Sequence, residues 1–154
     1  MRILVHLSDV HFGRVDYAIV DGLVEKINKI APNLVVLSGD LTQRARSAQF
    51  IEARAFLDKL PQPQIIVPGN HDIPMHNVFA RFAIPLEKYK KYITGDLQPF
   101  YADEEIAVVG INTARSLTVK DGRINEMQIA GIRNKMCSLP DDIVKIIVSH
   151  HPFD

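Results

Sequence analysis

The chain has no tryptophan, a single cysteine and no net charge, with Lys+Arg and Asp+Glu at 18 each. Each shortage excludes something. The lone Cys137 rules out an internal disulfide and suits a reducing compartment. Its place late in an expected helix favours core packing over a reactive thiol. Balanced charge argues against broad electrostatic capture of nucleic acid or of an anionic membrane. No apolar run is long enough to cross a bilayer. Met1-Arg2 leads straight into Ile3-Leu4-Val5-His6-Leu7, too short for a secretory signal, so a cytoplasmic location is expected. Repeats, low-complexity stretches and linkers are also missing. What remains is ordinary: 154 residues, 47% of them hydrophobic, read as one domain over 1–154 with a real core.

Hydrophobic patterning predicts alternating strands and helices. Residues 3–7 read as a buried strand ending at Ser8-Asp9, with His6 a packed core histidine. Ile19, Leu23, Ile27 and Ile30 stand at helical spacing from about Asp16, and Pro32-Asn33 closes that helix. Leu34-Val35-Val36-Leu37 is the second strand and runs into Ser38-Gly39-Asp40. Ser47 is the expected N-cap of a helix whose apolar face is Phe50, Ala53, Leu57 and Leu60. The third strand, Gln64-Ile65-Ile66-Val67, stops at Pro68-Gly69. Short joints between these elements indicate βαβ units and a mainly parallel sheet.

The second half is less regular. Residues 78–93 are helical in pattern but broken by Pro85, with Lys88, Lys90 and Lys91 as a solvated face. Phe100-Tyr101 and Ile106 to Ile111 suggest a hairpin across Asp103-Glu104-Glu105. Asn125 and Gln128 fit a capping box opening a helix with Ile129, Ile132 and Met136 on one side. Lys145-Ile146-Ile147-Val148 is the last strand.

Four strand ends finish in polar residues: Asp9-Val10-His11, Gly39-Asp40, Gly69-Asn70-His71-Asp72 and His150-His151-Pro152. In open α/β sheets, ligands bind outside the carboxyl ends of the strands. Imidazoles mixed with carboxylates suit borderline metals such as Mn, Fe or Zn better than Mg or Ca. Two such ions a few ångströms apart form a clamp for displacement at phosphorus, and Asp40, on a central strand, is placed to bridge them. Singly, each segment has an ordinary reading as a turn, a cap or a surface loop. All four together point to a metal site.

The motifs Asp9-x-His11, Gly39-Asp40-x-x-x-Arg44, Gly69-Asn70-His71-Asp72 and His150-His151-Pro152 resemble four successive motifs of the calcineurin-like metallophosphoesterase superfamily. The match runs through nearly the whole chain, in order, each motif after an expected strand. The Gly-Asp-Leu-Thr wording around Asp40 is most similar to single-domain phosphodiesterases. The resemblance implies an αββα sandwich with a mainly parallel first sheet and a second sheet incomplete in this chain. It implies Asp9 and His11 on a first metal, Asp40 bridging, and Asn70 and His150 on a second. His71 is similar to the family's non-ligand histidine, which contacts the phosphoryl group or protonates the leaving alkoxide. Asp72 is expected to orient that imidazole, with a helix cap as its bland alternative, and Arg44 to contact phosphate or brace its loop.

Two departures stand out. Gln43 occupies a position where some phosphoprotein phosphatases of the superfamily carry Asp, which makes a protein phosphatase the poorer match. The family's last motif, Gly-His-x-His, is absent, so the resemblance implies an amino-terminal portion of a longer protein, inactive by itself. The implied function is hydrolysis of phosphodiesters, such as cyclic nucleotides, by a hydroxide bridging two metals, on a small-molecule ester. A non-catalytic scaffold of the same fold and a nuclease are the alternatives, the nuclease unsupported by any aromatic-basic stripe. Asn112 and Arg115 are read as structural, and His76 as a solvent-facing loop residue.

Overall fold

Alternate residues of the second strand face different neighbours, and that alternation organises the molecule. In β2 (Leu34–Ser38), Val35 and Leu37 join one apolar cluster while Leu34 and Val36 join another. The structure, a computed structural model, describes residues 1–75, 78–115 and 122–152, and of 78–80 the backbone only. His76 lies outside the described residues.

β1 (Leu4–Leu7), β2 and β3 (Gln64–Val67) form a parallel sheet in the order β1-β2-β3. β4 (Phe100–Ala102) pairs antiparallel with β5 (Ile106–Gly110), and β6 (Val144–Val148) runs parallel beside β5. Leu34, Val36, Ile65 and Val67 of the first sheet pack against Ile106, Val108 and Val148 of the second. On the outer face of the first sheet lie α1 (Tyr17–Ile30), α2 (Ser47–Asp58) and α4 (Glu87–Tyr92), contributing Ile27, Phe50, Ala53, Leu57 and Tyr89. On the outer face of the second, Ala107 and Val109 meet Met136 and Ile132 of α5 (Glu126–Met136). The layers are therefore helix, sheet, sheet, helix, as expected. Each fully buried Leu, Val or Ile contributes about 1.5–3 kcal/mol to holding them together.

The break at Pro85 is real: α3 (Val78–Ala83) stops and α4 begins at Glu87. Fully buried Tyr89 anchors α4, donating its hydroxyl to the Ile66 carbonyl at 3.1 Å. The hairpin turns as expected, with Asp103 accepting from the Glu105 and Ile106 amides at 2.8 and 2.9 Å. The capping box of Asn125 and Gln128 is also present.

Several burial assignments need correction. His6 is exposed on an edge strand, its Nε2 2.7 Å from the Ser38 hydroxyl, because nothing described pairs with the outer side of β1. The α1 stripe is rotated: Ile19 and Ile30 are exposed, while Val20, Leu23, Val24 and Ile27 face the sheet. Ser47 is the first helical residue of α2, not its cap; buried Gln49 reaches back to accept from the Arg44 and Arg46 amides. Lys88 is half-buried and donates to the Ala45 carbonyl at 3.1 Å. Cys137 caps α5 and is exposed, because the buried side of that helix ends at Met136. Ile129, expected on that side, is also exposed.

Candidate metal centre

Beyond their strands, the loops after β1 and β2 keep running side by side. Asp9 N donates to Gly39 O at 3.2 Å, His11 N to Asp40 O at 3.0 Å and Phe12 N to Leu41 O at 2.8 Å. This continued pairing sets Asp9 and His11 against Asp40. It also demands an unusual backbone, since Asp9, His11 and Asp40 all have positive φ, between 53° and 57°. Left-handed conformations at non-glycine residues are costly and cluster where a site over-determines them. Glycine supplies the remaining clearance. Gly39 has φ +93°, and an added Cβ would lie 2.5 Å from the Nδ1 of the His150 ring. A Cβ on Gly69 would run into the Asp40 carboxylate and amide.

The side chains then converge. Buried Asp40 holds its Oδ1 against the His71 amide at 2.9 Å. Its Oδ2 stands 3.7 Å from His11 Nε2 and 3.5 Å from His150 Nε2. Asp9 Oδ1 is also 3.7 Å from His11 Nε2. Asn70 Oδ1 lies 3.0 Å from His150 Nε2. Ligand atoms of Asp9, His11 and Asp40 all fall within 4.8 Å of one another. Separations of 3.5–3.7 Å are too long for hydrogen bonds. They suit donors that each lie about 2 Å from a shared cation. The donor set is thus compatible with borderline divalent metals.

The two nitrogens of each imidazole are held differently. His150 Nδ1 is 2.8 Å from the Ser38 carbonyl, which fixes a proton there and leaves Nε2 as a ligand. His11 Nδ1 is buried with no partner among the described residues, and that ring is steadied by edge-on contact with His71 at 4.9 Å between centroids. His151 packs edge-on against the His150 ring at 4.9 Å between centroids, with its Nδ1 2.9 Å from the Thr113 hydroxyl.

Asp72 does not orient His71. Its buried carboxylate accepts from the Leu41 amide (3.2 Å), the Thr42 amide (2.9 Å), the Thr42 hydroxyl (3.0 Å) and the Gly69 amide (3.0 Å). It latches the loop after β3 to the loop after β2. Burial raises its pKa from the usual 3.8 to about 6, against the Gly69 hydrogen bond, which lowers it; the charge of Asp40 adds to the rise. The partner of His71 Nδ1 is the main-chain carbonyl of Gln43 at 2.9 Å. Sequence reasoning could not find that partner, because every residue type carries a carbonyl. Arg44 is exposed, and its guanidinium has no ion pair among the described residues, so it does not brace a neighbouring acid.

With this geometry in hand, the relationships are clear. The calcineurin-like phosphoesterase family model matches residues 1–154, and the chain belongs to that family. A probable cyclic nucleotide phosphodiesterase of Rhodopseudomonas palustris is 26% identical over 96% of this chain and 56% of its own length. A probable glycerophosphodiester phosphodiesterase of Arcobacter nitrofigilis is 25% identical over 97% of this chain and 57% of its own. A glycerophosphodiester phosphodiesterase of Enterobacter lignolyticus is 33% identical over 46% of this chain and 29% of its own. The chain thus spans little more than half the length of the relatives that align along it. Among the described residues, no helix is long and apolar enough to cross a membrane.

Proposed function

We propose that this chain belongs to a metal-dependent hydrolase acting on phosphodiesters, the substrate class named in all three relatives. One observation carries the proposal. A buried Asp40 oxygen is flanked by two imidazole nitrogens at 3.7 and 3.5 Å, with Asp9 and Asn70 completing the two sides. In this reading Asp9 and His11 would hold one ion and Asn70 and His150 the other, with Asp40 shared between them. Two bound Mn, Fe or Zn ions would offset the phosphoryl charge and acidify water.

The protein's own groups do the rest. His71 donates a hydrogen bond from its Nδ1–H to the Gln43 carbonyl, which leaves Nε2 as the atom that meets the ester. In its protonated form it hands the Nε2 proton to the departing alkoxide. Arg44, exposed and uncommitted among the described residues, receives the non-bridging phosphate oxygens. Asp72 acts at one remove, by holding the two loops in register.

The test uses the full-length protein with added manganese and two chromogenic esters, bis(p-nitrophenyl) phosphate and the monoester. Hydrolysis of the diester, faster than that of the monoester and abolished in Asp40→Asn, is the expected result. Stoichiometric metal with no cleavage of either ester would instead favour a scaffold without turnover.

A further inference from the structure

A cavity of about 400 Å³ lies where Ile73, immediately after the Asn70–Asp72 turn, faces the 112–115 loop. That loop leaves β5 at the same end of the sheet at which β6 delivers His150. Thr113 stitches it to His151 through two hydrogen bonds, at 2.9 and 3.3 Å. The cavity therefore lies at the same end of the sheet as the candidate metal centre. Ile73, Leu86 and Leu97 give it an apolar wall, while Asn112, Arg115 and Asn125 supply polar groups.

The state of those polar groups is informative. Asn112 Oδ1 accepts from the Ala114 amide at 3.0 Å, and Asn125 Oδ1 from the Gln128 amide at 2.8 Å. Each bond requires the oxygen at that position, so both side-chain NH₂ groups are oriented and uncommitted. Gln128 spends its own oxygen on the Asn125 amide and its NH₂ on the Asn112 carbonyl. Gln98 gives its NH₂ to the Gln128 carbonyl, and its oxygen lies against Gly131. Arg115 makes only a 3.5 Å contact with the Arg123 carbonyl. Among the described residues, the side-chain groups left to meet a ligand here are the amides of Asn112 and Asn125, the Gln98 oxygen, which is turned toward Gly131, and one cation, Arg115.

We propose that this cavity is the leaving-group subsite, and that it selects phosphodiesters whose departing alcohol carries an anionic head, a carboxylate or a second phosphate, on a short apolar body. Arg115 pairs with the head, and the amides of Asn112 and Asn125 share its oxygens. In the reaction water adds to phosphorus, the P–O bond to the anionic alcohol breaks, and that alcohol leaves with a proton. The inference rests on the phosphodiesterase reading above.

The test pairs methyl 4-carboxyphenyl phosphate with methyl 4-methylphenyl phosphate on the manganese-loaded full-length protein. Wild-type protein should prefer the carboxylated diester, and Arg115→Gln should reduce that preference about tenfold. Arg115→Lys should recover part of it. Calorimetric binding of the carboxylated diester to metal-free protein is the second arm, expected to weaken by a similar factor in Arg115→Gln. Hydrolysis of both diesters with an unchanged ratio in Arg115→Gln overturns the subsite while leaving the phosphodiesterase reading intact. No hydrolysis of either, with binding that still depends on Arg115, overturns the activity and keeps the anion pocket. Binding indifferent to Arg115 in the metal-free protein overturns the pocket in every case.

Discussion

Asp40 and Asp72 are two buried carboxylates on one rim, 3% and 1% exposed, and they are wired in opposite ways. Both Asp72 oxygens are saturated by donors from the two loops it joins. Asp40 commits one oxygen to the His71 amide and aims the other at two imidazoles it does not hydrogen-bond. Burial alone does not tell ligand from latch. The hydrogen-bond census does, because a carboxylate with an uncommitted oxygen facing other donor atoms is arranged for something additional.

The contrast predicts unequal responses to the same substitution. Asp72→Asn turns one oxygen into an NH₂ pointing at donors, and at pH 7 should cost about 3–5 kcal/mol, since each buried group left unpaired costs about 1–3 kcal/mol. Asp40→Asn can keep its bond to the His71 amide and should change metal-free stability by less than about 1 kcal/mol. Urea unfolding of the two variants checks the pair, and equal losses would erase the distinction. Gly69→Ala comes next, at about 2 kcal/mol, because its Cβ collides with the Asp40 carboxylate and backbone. It should also weaken manganese binding, which separates it from a simple packing defect.

Proton binding sharpens the same comparison. Asp72, raised to about 6 chiefly by burial, should titrate far from Asp103, which the Ile106 and Glu105 amides hold down to about 2. Carboxyl-carbon NMR of the metal-free protein reads both midpoints directly. For Asp72 the folded pKa exceeds the unfolded one, so its stabilising share is full below about 3.8 and is lost as pH rises through 6. For Asp103 the order is reversed: its share is present above about 3.8 and is lost as pH falls through 2. The smallest effect belongs to Cys137→Ser, within about 0.5 kcal/mol, because that thiol is exposed at a helix end. Native protein should accordingly react with a thiol reagent without unfolding.

What the sequence disclosed followed from periodicity and from the ends of strands. Short continuous apolar runs gave the strands, helical spacing gave α1 and α2, and Pro85 broke the segment after them where expected. The polar residues closing four runs marked the rim, since such residues are costly at the end of a buried strand without a purpose. What stayed hidden was set by tertiary partners. The edge position of β1 exposes His6, a main-chain carbonyl holds His71, and the long reach of Lys88 ties α4 to Ala45. Asp72 was misassigned because adjacency in sequence suggested a partner, while its oxygens turn to amides some thirty residues away. The roles of Asn112 and Arg115 likewise depend on which of their atoms the local backbone has already used.

Manganese titration of isotopically labelled protein tests the central claim most directly, because a paramagnetic ion broadens only the signals near it. Amide signals of Asp9, His11, Asp40, Asn70 and His150 should vanish first at substoichiometric metal, and Asp40→Asn should spare them at the same concentration. Broadening centred elsewhere, or an Asp40→Asn response identical to wild type, would show that these strand ends do not hold the ions.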